Sequence, residues 1–257
     1  MLADLTAGAV EDAERRAQTR PLAEVEKAAL ARPAPKDARA ALAPAARVKV
    51  IAEVKRASPS RGALAEIPDP AHQAQLYETG GASAISVLTE ERRFGGSLAD
   101  LEAVTAQVSL PVLRKDFIAT PYQVLEARAA GADLALLIVA GLEPKTLREL
   151  FALITELGMT PLVETHSADE LEAAIDLGAS VIGVNARDLT TLELDRDLFA
   201  RLVDRIPDTA VKVAESAVLE PADVARYRSA GADVVLIGEA LVTGDPVATL
   251  TSFLEVG

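Results

Sequence analysis

Short apolar runs rich in valine, isoleucine, leucine and alanine recur along the chain, and the segments between them place apolar residues three and four apart. The runs are "VKVIAEVK" (48–55), "ASAISVLT" (82–89), "PVLRKDF" (111–117), "DLALLIVA" (133–140), "TPLVETH" (160–166), "SVIGVNA" (180–186), "AVKVAES" (210–216) and "DVVLIGE" (233–239). Their length and their bounding turn residues predict strands. The intervening stretches, such as "PYQVLEARAAG" and "SADELEAAIDLG", carry the spacing of helices with one buried face. Strand and helix in strict alternation predict a parallel sheet with crossover helices.

An internal echo narrows the architecture. Gly-Ala followed by Ser or Asp occurs at Gly81, Gly131, Gly178 and Gly231, each time just before a strand run. A glycine there can end a helix in the left-handed conformation. The echo precedes every second strand, so the unit is two strands and two helices, and four units close as a (β/α)8 barrel of the TIM type. The competing arrangement is an open doubly wound sheet, but no Gly-x-Gly-x-x-Gly follows the first strand. Residues 1–47 differ in character. Two helix-like stretches, 2–18 and 22–32, lead into the Pro/Ala-rich "RPAPKDARAALAPAAR", too little patterned for a domain of its own. One domain is expected: a helical extension (1–47) packed on a barrel (48–257).

Composition removes several function classes. The formal net charge of −13 argues against a nucleic-acid partner, which needs a basic footprint. Without cysteine there is no thiolate nucleophile, disulfide or cysteine metal site. The apolar runs fall well short of the roughly 20 residues that span a bilayer, and the acidic N-terminus lacks the layout of a signal peptide. The expectation is a soluble cytoplasmic protein, with a monomer favoured and no pattern that fixes the oligomeric state.

Barrels of this type do chemistry at the C-terminal ends of their strands, and that is where the out-of-place polar residues fall. Glu53 and Lys55 end the first run, Lys115 and Asp116 the third, Glu164 the fifth, Asn185 the sixth, Glu215 and Ser216 the seventh, Gly238 and Glu239 the eighth. Alternation puts Glu53 and Lys55 on the face of Ile51, Lys115 with Leu113, Glu164 with Leu162, Asn185 with Gly183 and Glu215 with Val213. A single such pair reads as an internal salt bridge. Several at one level read as a site, because each buried ion costs several kcal/mol unless paired or solvated. The loops after strands seven and eight form the usual phosphate cradle, here Ala217, Gly238 and Glu239 with the Ser58 hydroxyl. Phe94 and Phe117 can flank a planar ligand or pack in the core. His72 reads as a surface residue and His166 as structural, and their spacing fits no transition-metal site.

The segments "AEVKRASPSRG", "SVLTEERRFGGS", "PVLRKDF", "GVNARDL", "AES" and "IGEAL", in this order at the strand ends, resemble the indole-3-glycerol-phosphate synthase family of tryptophan biosynthesis. The resemblance runs from about Val48 to the C-terminus. It implies ring closure, decarboxylation and dehydration of an anthranilate-bearing deoxyribulose phosphate, with no metal or organic cofactor. It also implies Lys115 as general acid, Lys55 on the substrate carboxylate, and Glu164 as acid or base of the dehydration. Glu53 and Asn185 would orient hydroxyls and lysines, with Glu215 and Ser216 completing the mouth. Phe94 and Phe117 would lie against the ring, and Ser58, Arg187, Gly238 and Glu239 near the phosphate. Three departures stand out: Ala217 where the family usually has glycine, Ala240 for a frequent serine, and Thr165 for a common valine. If position 217 needs a positive φ, its alanine is strained. Two other readings stay open, a phosphoribosylanthranilate isomerase-like enzyme, whose working pair includes a cysteine, and a catalytically silent sugar-phosphate-binding barrel.

Overall fold

The eight apolar runs all become strands: β1 (Lys49–Val54), β2 (Ala84–Leu88), β3 (Val112–Lys115), β4 (Leu134–Ile138), β5 (Thr160–Thr165), β6 (Val181–Asn185), β7 (Val211–Glu215) and β8 (Val234–Ile237). In the computed structural model, which describes residues 1–256, each strand pairs in parallel with its sequence neighbours. Pairing of β1 with β8, Lys49 opposite Val234, closes the circle. This is the (β/α)8 barrel, and the open-sheet alternative falls.

Strand alternation divides the core into two layers. Ile51, Leu113, Leu134, Leu162, Val181, Val213 and Leu236 point inward and fill the barrel. Val50, Ile85, Val87, Val163, Ile182 and Val235 point outward beneath the helices. Burial of a whole aliphatic side chain is worth about 1.5–3 kcal/mol, so both layers hold the register against a one-residue slip.

The extension contributes α1 (Leu2–Thr19), α2 (Leu22–Leu30) and α3 (Ala38–Leu42). The helix α3 lies in the Pro/Ala-rich stretch where the sequence pattern marks no helix of its own. Asp37 caps it, accepting from the Ala40 N–H at 2.9 Å. Its Ala38 and Leu42 join the barrel interior, while Arg39 and the Ala41 carbonyl bond Thr209 and Lys49 at the N-terminal strand ends. Thus α3 stoppers the end opposite the polar ring. At the other end, Leu2, Leu5 and Ala9 of α1 join the same interior cluster.

The outer ring is α4 (Pro70–Thr79), α5 (Leu98–Gln107), α6 (Pro121–Ala129), α7 (Pro144–Glu156), α8 (Ala168–Asp176), α9 (Leu198–Leu202), α10 (Pro221–Ser229), α11 (Glu239–Val242) and α12 (Pro246–Glu255). Side chains cap the starts of several: Asp69 for α4, Ser97 for α5, Thr120 for α6, Ser167 for α8 and Asp245 for α12. The echoed glycines have φ of +95°, +92°, +73° and +105° and stop α4, α6, α8 and α10. Each sits in a Schellman turn, as where Gly178 N–H reaches Ile175 O and Ala179 N–H reaches Ala174 O. Against α6 lies α2, through Val25, Ala29 and Leu125. No helix among the described residues is long and apolar enough to cross a membrane.

Candidate active site

The C-terminal strand ends and their loops enclose a cavity of about 390 Å³. Every residue selected from the sequence lines it: Glu53, Lys55, Lys115, Glu164, Asn185 and Glu215 on the floor, and Ser58, Phe94, Phe117, Arg187, Ser216, Ala217, Gly238 and Glu239 around the wall.

The floor is a set of ionisable groups, the carboxylates buried and the two lysines partly so. Lys115 Nζ lies 3.2 Å from Glu164 Oε2 and 3.2 Å from Glu215 Oε2. Lys55 Nζ pairs with Glu53 Oε1 at 2.8 Å, and the Ser86 hydroxyl donates to Glu53 Oε2 at 3.3 Å. The Asn185 amide donates to Glu164 Oε1 at 3.1 Å, and its oxygen accepts from Ser216 Oγ at 2.8 Å and from the Arg187 N–H at 3.0 Å. Glu164 Oε2 and both Glu215 oxygens are buried without an aligned hydrogen-bond donor, although Glu164 Oε2 and Glu215 Oε2 each lie 3.2 Å from the Lys115 ammonium.

Electrostatics separate the two carboxyls. Burial, reinforced by the Glu164 carboxylate, pushes Glu215 up to about 8 despite Lys115. Burial would raise Glu164 as well, but Lys115 and His166 hold it below the usual carboxylate range. At neutral pH one proton therefore resides on the Glu164–Glu215 pair, on the Glu215 side. Burial would lower Lys115, yet Glu164, Glu215 and Glu53 raise it, and it stays an ammonium. Glu53, which burial alone would raise, is held low by Lys55 and Lys115.

Two glycines make room for these groups. A Cβ on Gly183 would sit 2.1 Å from Glu215 Oε1. One on Gly238 would meet Glu53 Oε1 at 2.7 Å and Lys55 Nζ at 2.9 Å. Gly238 has an ordinary negative φ of −122°, so clearance, rather than backbone conformation, is what glycine supplies there.

Around the wall, Phe94 and Phe117 are tilted rings with centroids 6.1 Å apart. Ser216 and Ala217 both adopt left-handed backbone, φ +68° and +58°. Position 217 does need a positive φ, so the alanine carries the strain that the family's usual glycine would avoid. Arg187 is less free than its sequence position suggests, since its Nη1 donates to the Leu192 carbonyl at 3.1 Å. Asp116, at the same strand end as Lys115, turns its carboxylate outward to Arg114 at 2.8 Å, as alternation requires. His166 wedges between Glu164 Oε1 at 3.3 Å and Glu170 Oε2 at 3.2 Å, which raise it to about 10 against the effect of burial.

Sequence reading missed several lining residues. Leu136 and Ile138 come from β4, which ends without a polar residue to draw notice. Leu189, Leu192 and Leu194 come from the loop after β6, and Met1 and Leu5 from the extension. Arg61, paired with Glu239 at 2.9 Å, brings a cation to the wall where the phosphate was expected. Its only sequence signal was its place in "SPSRG". Among the described residues no three His, Asp or Glu are arranged to cage a metal ion.

Comparison with known proteins agrees with this layout. A family model described as indole-3-glycerol phosphate synthase matches residues 2–253. An indole-3-glycerol phosphate synthase of Leifsonia xyli subsp. xyli is 72% identical over 256 residues, covering 100% of this chain and 98% of the relative. One from Beutenbergia cavernae is 56% identical over 258 residues, covering 100% and 96%. Among solved structures, a 3-hexulose-6-phosphate synthase from Salmonella typhimurium superposes with a TM-score of 0.67 at 16% identity, over 81% of this chain and 98% of that one, a likeness of fold alone. Matched from the extension through the last helix, and with its polar ring gathered at one barrel mouth, the chain belongs to the indole-3-glycerol phosphate synthase family.

Proposed function

We propose that this mouth converts 1-(2-carboxyphenylamino)-1-deoxyribulose 5-phosphate to indole-3-glycerol phosphate, with Lys115 as the acid of ring closure. The observation that carries the assignment is a largely buried ammonium held by two carboxyls at 3.2 Å, in a cavity that Phe94 and Phe117 also line. The anthranilate ring lies against Phe94 and Phe117, and its carboxylate-bearing carbon attacks the sugar ketone. Lys115 gives a proton to the ketone oxygen as the C–C bond forms. Carbon dioxide then leaves, and its bonding pair restores the aromatic ring. The new hydroxyl departs as water after protonation, and a proton lost from the neighbouring ring atoms completes the indole.

The two carboxyls suit opposite halves of that dehydration. Glu164 is ionised and accepts a proton, whereas Glu215, protonated at neutral pH, returns one to the network. Lys55, steered by Glu53, meets the substrate carboxylate, and Asn185 fixes Glu164. The phosphate rests against Ser216 and Ala217, which line the cavity at the end of β7. Gly238, Glu239, Ser58 and Arg61 complete that side of the wall.

The test is direct: purified protein mixed with this substrate produces indole absorbance. Lys115→Met keeps the aliphatic stem and removes the ammonium, and kcat falls by about 10²–10⁴. Turnover near the wild-type value in that variant, with the fold verified by circular dichroism, removes Lys115 from the acid role.

A further inference from the structure

Phe94 rides on a loop, Glu90–Ser97, held from within, from α1 and, through Arg56 Nη1 on the Gly95 carbonyl at 3.3 Å, from the segment after β1. From within, the Glu90 carboxylate accepts from the N–H groups of Arg92, Arg93 and Phe94 at 3.0, 2.7 and 2.9 Å, and the Glu90 carbonyl accepts from Gly96 at 2.9 Å. From outside, Arg92 reaches across to α1. Its Nε donates to Asp12 Oδ2 at 2.9 Å, and its Nη2 to Asp12 Oδ1 at 2.6 Å and to Glu11 Oε2 at 3.0 Å.

The surroundings are built for that reach. Asp12 is buried, and Arg15 also donates to it. Gly8, one turn earlier on α1, leaves the gap in which the guanidinium lies, since a Cβ there would be 3.0 Å from Arg92 Nη1. An exposed ion pair contributes little, but a two-pronged arginine on a buried carboxylate fixes orientation as well as distance. The same helix supplies Leu5, and Met1 just ahead of it, to the cavity lining.

We infer that Asp12 and Arg92 are positioning residues for substrate recognition: α1 latches the Glu90–Ser97 loop and thereby sets the Phe94 side of the cavity that takes the aromatic ring. This rests on the reading of Phe94 and Phe117 as the ring site. The latch acts on the ring end of the substrate, whereas Ser216 and Ala217 come from a different loop, the one after β7.

Asp12→Asn, Arg92→Gln and the double variant test it in the full chain. Each single change raises KM about tenfold and leaves kcat within about threefold, while the double variant is no worse than either, the mark of one shared interaction. Competitive inhibition by inorganic phosphate stays at the wild-type value. Amide exchange across residues 90–97 quickens about tenfold, and that of β5–β7 does not change. Wild-type KM in the single variants, or effects that add in the double, overturns the latch. If wild-type protein makes no indole from this substrate, the chemistry assigned above fails first. The exchange measurement still decides the latch, and unchanged exchange at 90–97 refutes it.

Discussion

At the scale of single residues the active centre depends on atoms that are absent. Gly183 sits two positions before Asn185 on β6 and faces the same way, and its missing methyl is the space that Glu215 Oε1 occupies. Gly183→Ala is compatible with a strand backbone, so the fold survives while the carboxylate is displaced. Misplacement by about 1 Å can cost roughly 10²-fold in rate. The expected outcome is a kcat reduced by about that factor with Tm little changed, and unaltered kcat would show that Glu215 has room to spare. Strand alternation made the charged residues legible in the sequence, because a lysine or glutamate on an inward face is conspicuous. It could not reveal Gly183, whose meaning lies in a contact with a residue 32 positions away. Nor could it mark Arg61, one arginine among many charges.

Elements repeat the lesson in a different form. The strands and most helices were legible because period-2 and period-3.6 patterns each bury one face, and the Gly-Ala echo marked the helix stops. Gly158, at φ +77° before β5, makes the same turn but lacks the following alanine, so the echo passed it over. The short α3 was illegible: five residues in a Pro/Ala-rich stretch hold too little period, and barrel contacts stabilise it. Among the stops, Gly178 is the cleanest to probe, since a Cβ there meets nothing within 4 Å. Gly178→Ala costs only the left-handed backbone, about 1–2 kcal/mol, less a partial offset from a stiffer unfolded chain. Urea unfolding should show a net loss of about 1 kcal/mol with full activity. No loss would mean that the α8 turn relaxes.

For the whole molecule, the buried charges make stability depend on pH in a definite direction. Glu215 is raised in the folded state to about 8 and His166 to about 10. The native protein therefore binds these protons more tightly than the unfolded chain does. Their stabilisation is complete below the unfolded values, about 4.3 for Glu and 6.5 for His, and is lost as pH rises through the folded ones. The free energy of unfolding should decline from about pH 5 to pH 10. His166→Gln should flatten the upper part of that decline, above about pH 6.5. A wild-type profile level across this range would contradict the proton assignments at the floor.

The circular hydrogen bonding of the strands reaches beyond catalysis. A sheet with a free side exposes a row of amides and carbonyls that a second molecule can copy, strand upon strand. Here every barrel strand is flanked on both sides, and among the described residues the other pairings are a hairpin two residues deep, Ala57–Ser58 with Gly62–Ala63, and a single bridge between Arg187 and Leu194. While folded, the protein offers other chains almost no backbone template, so crowding can bring copies together only through the side chains of its outer helices and loops.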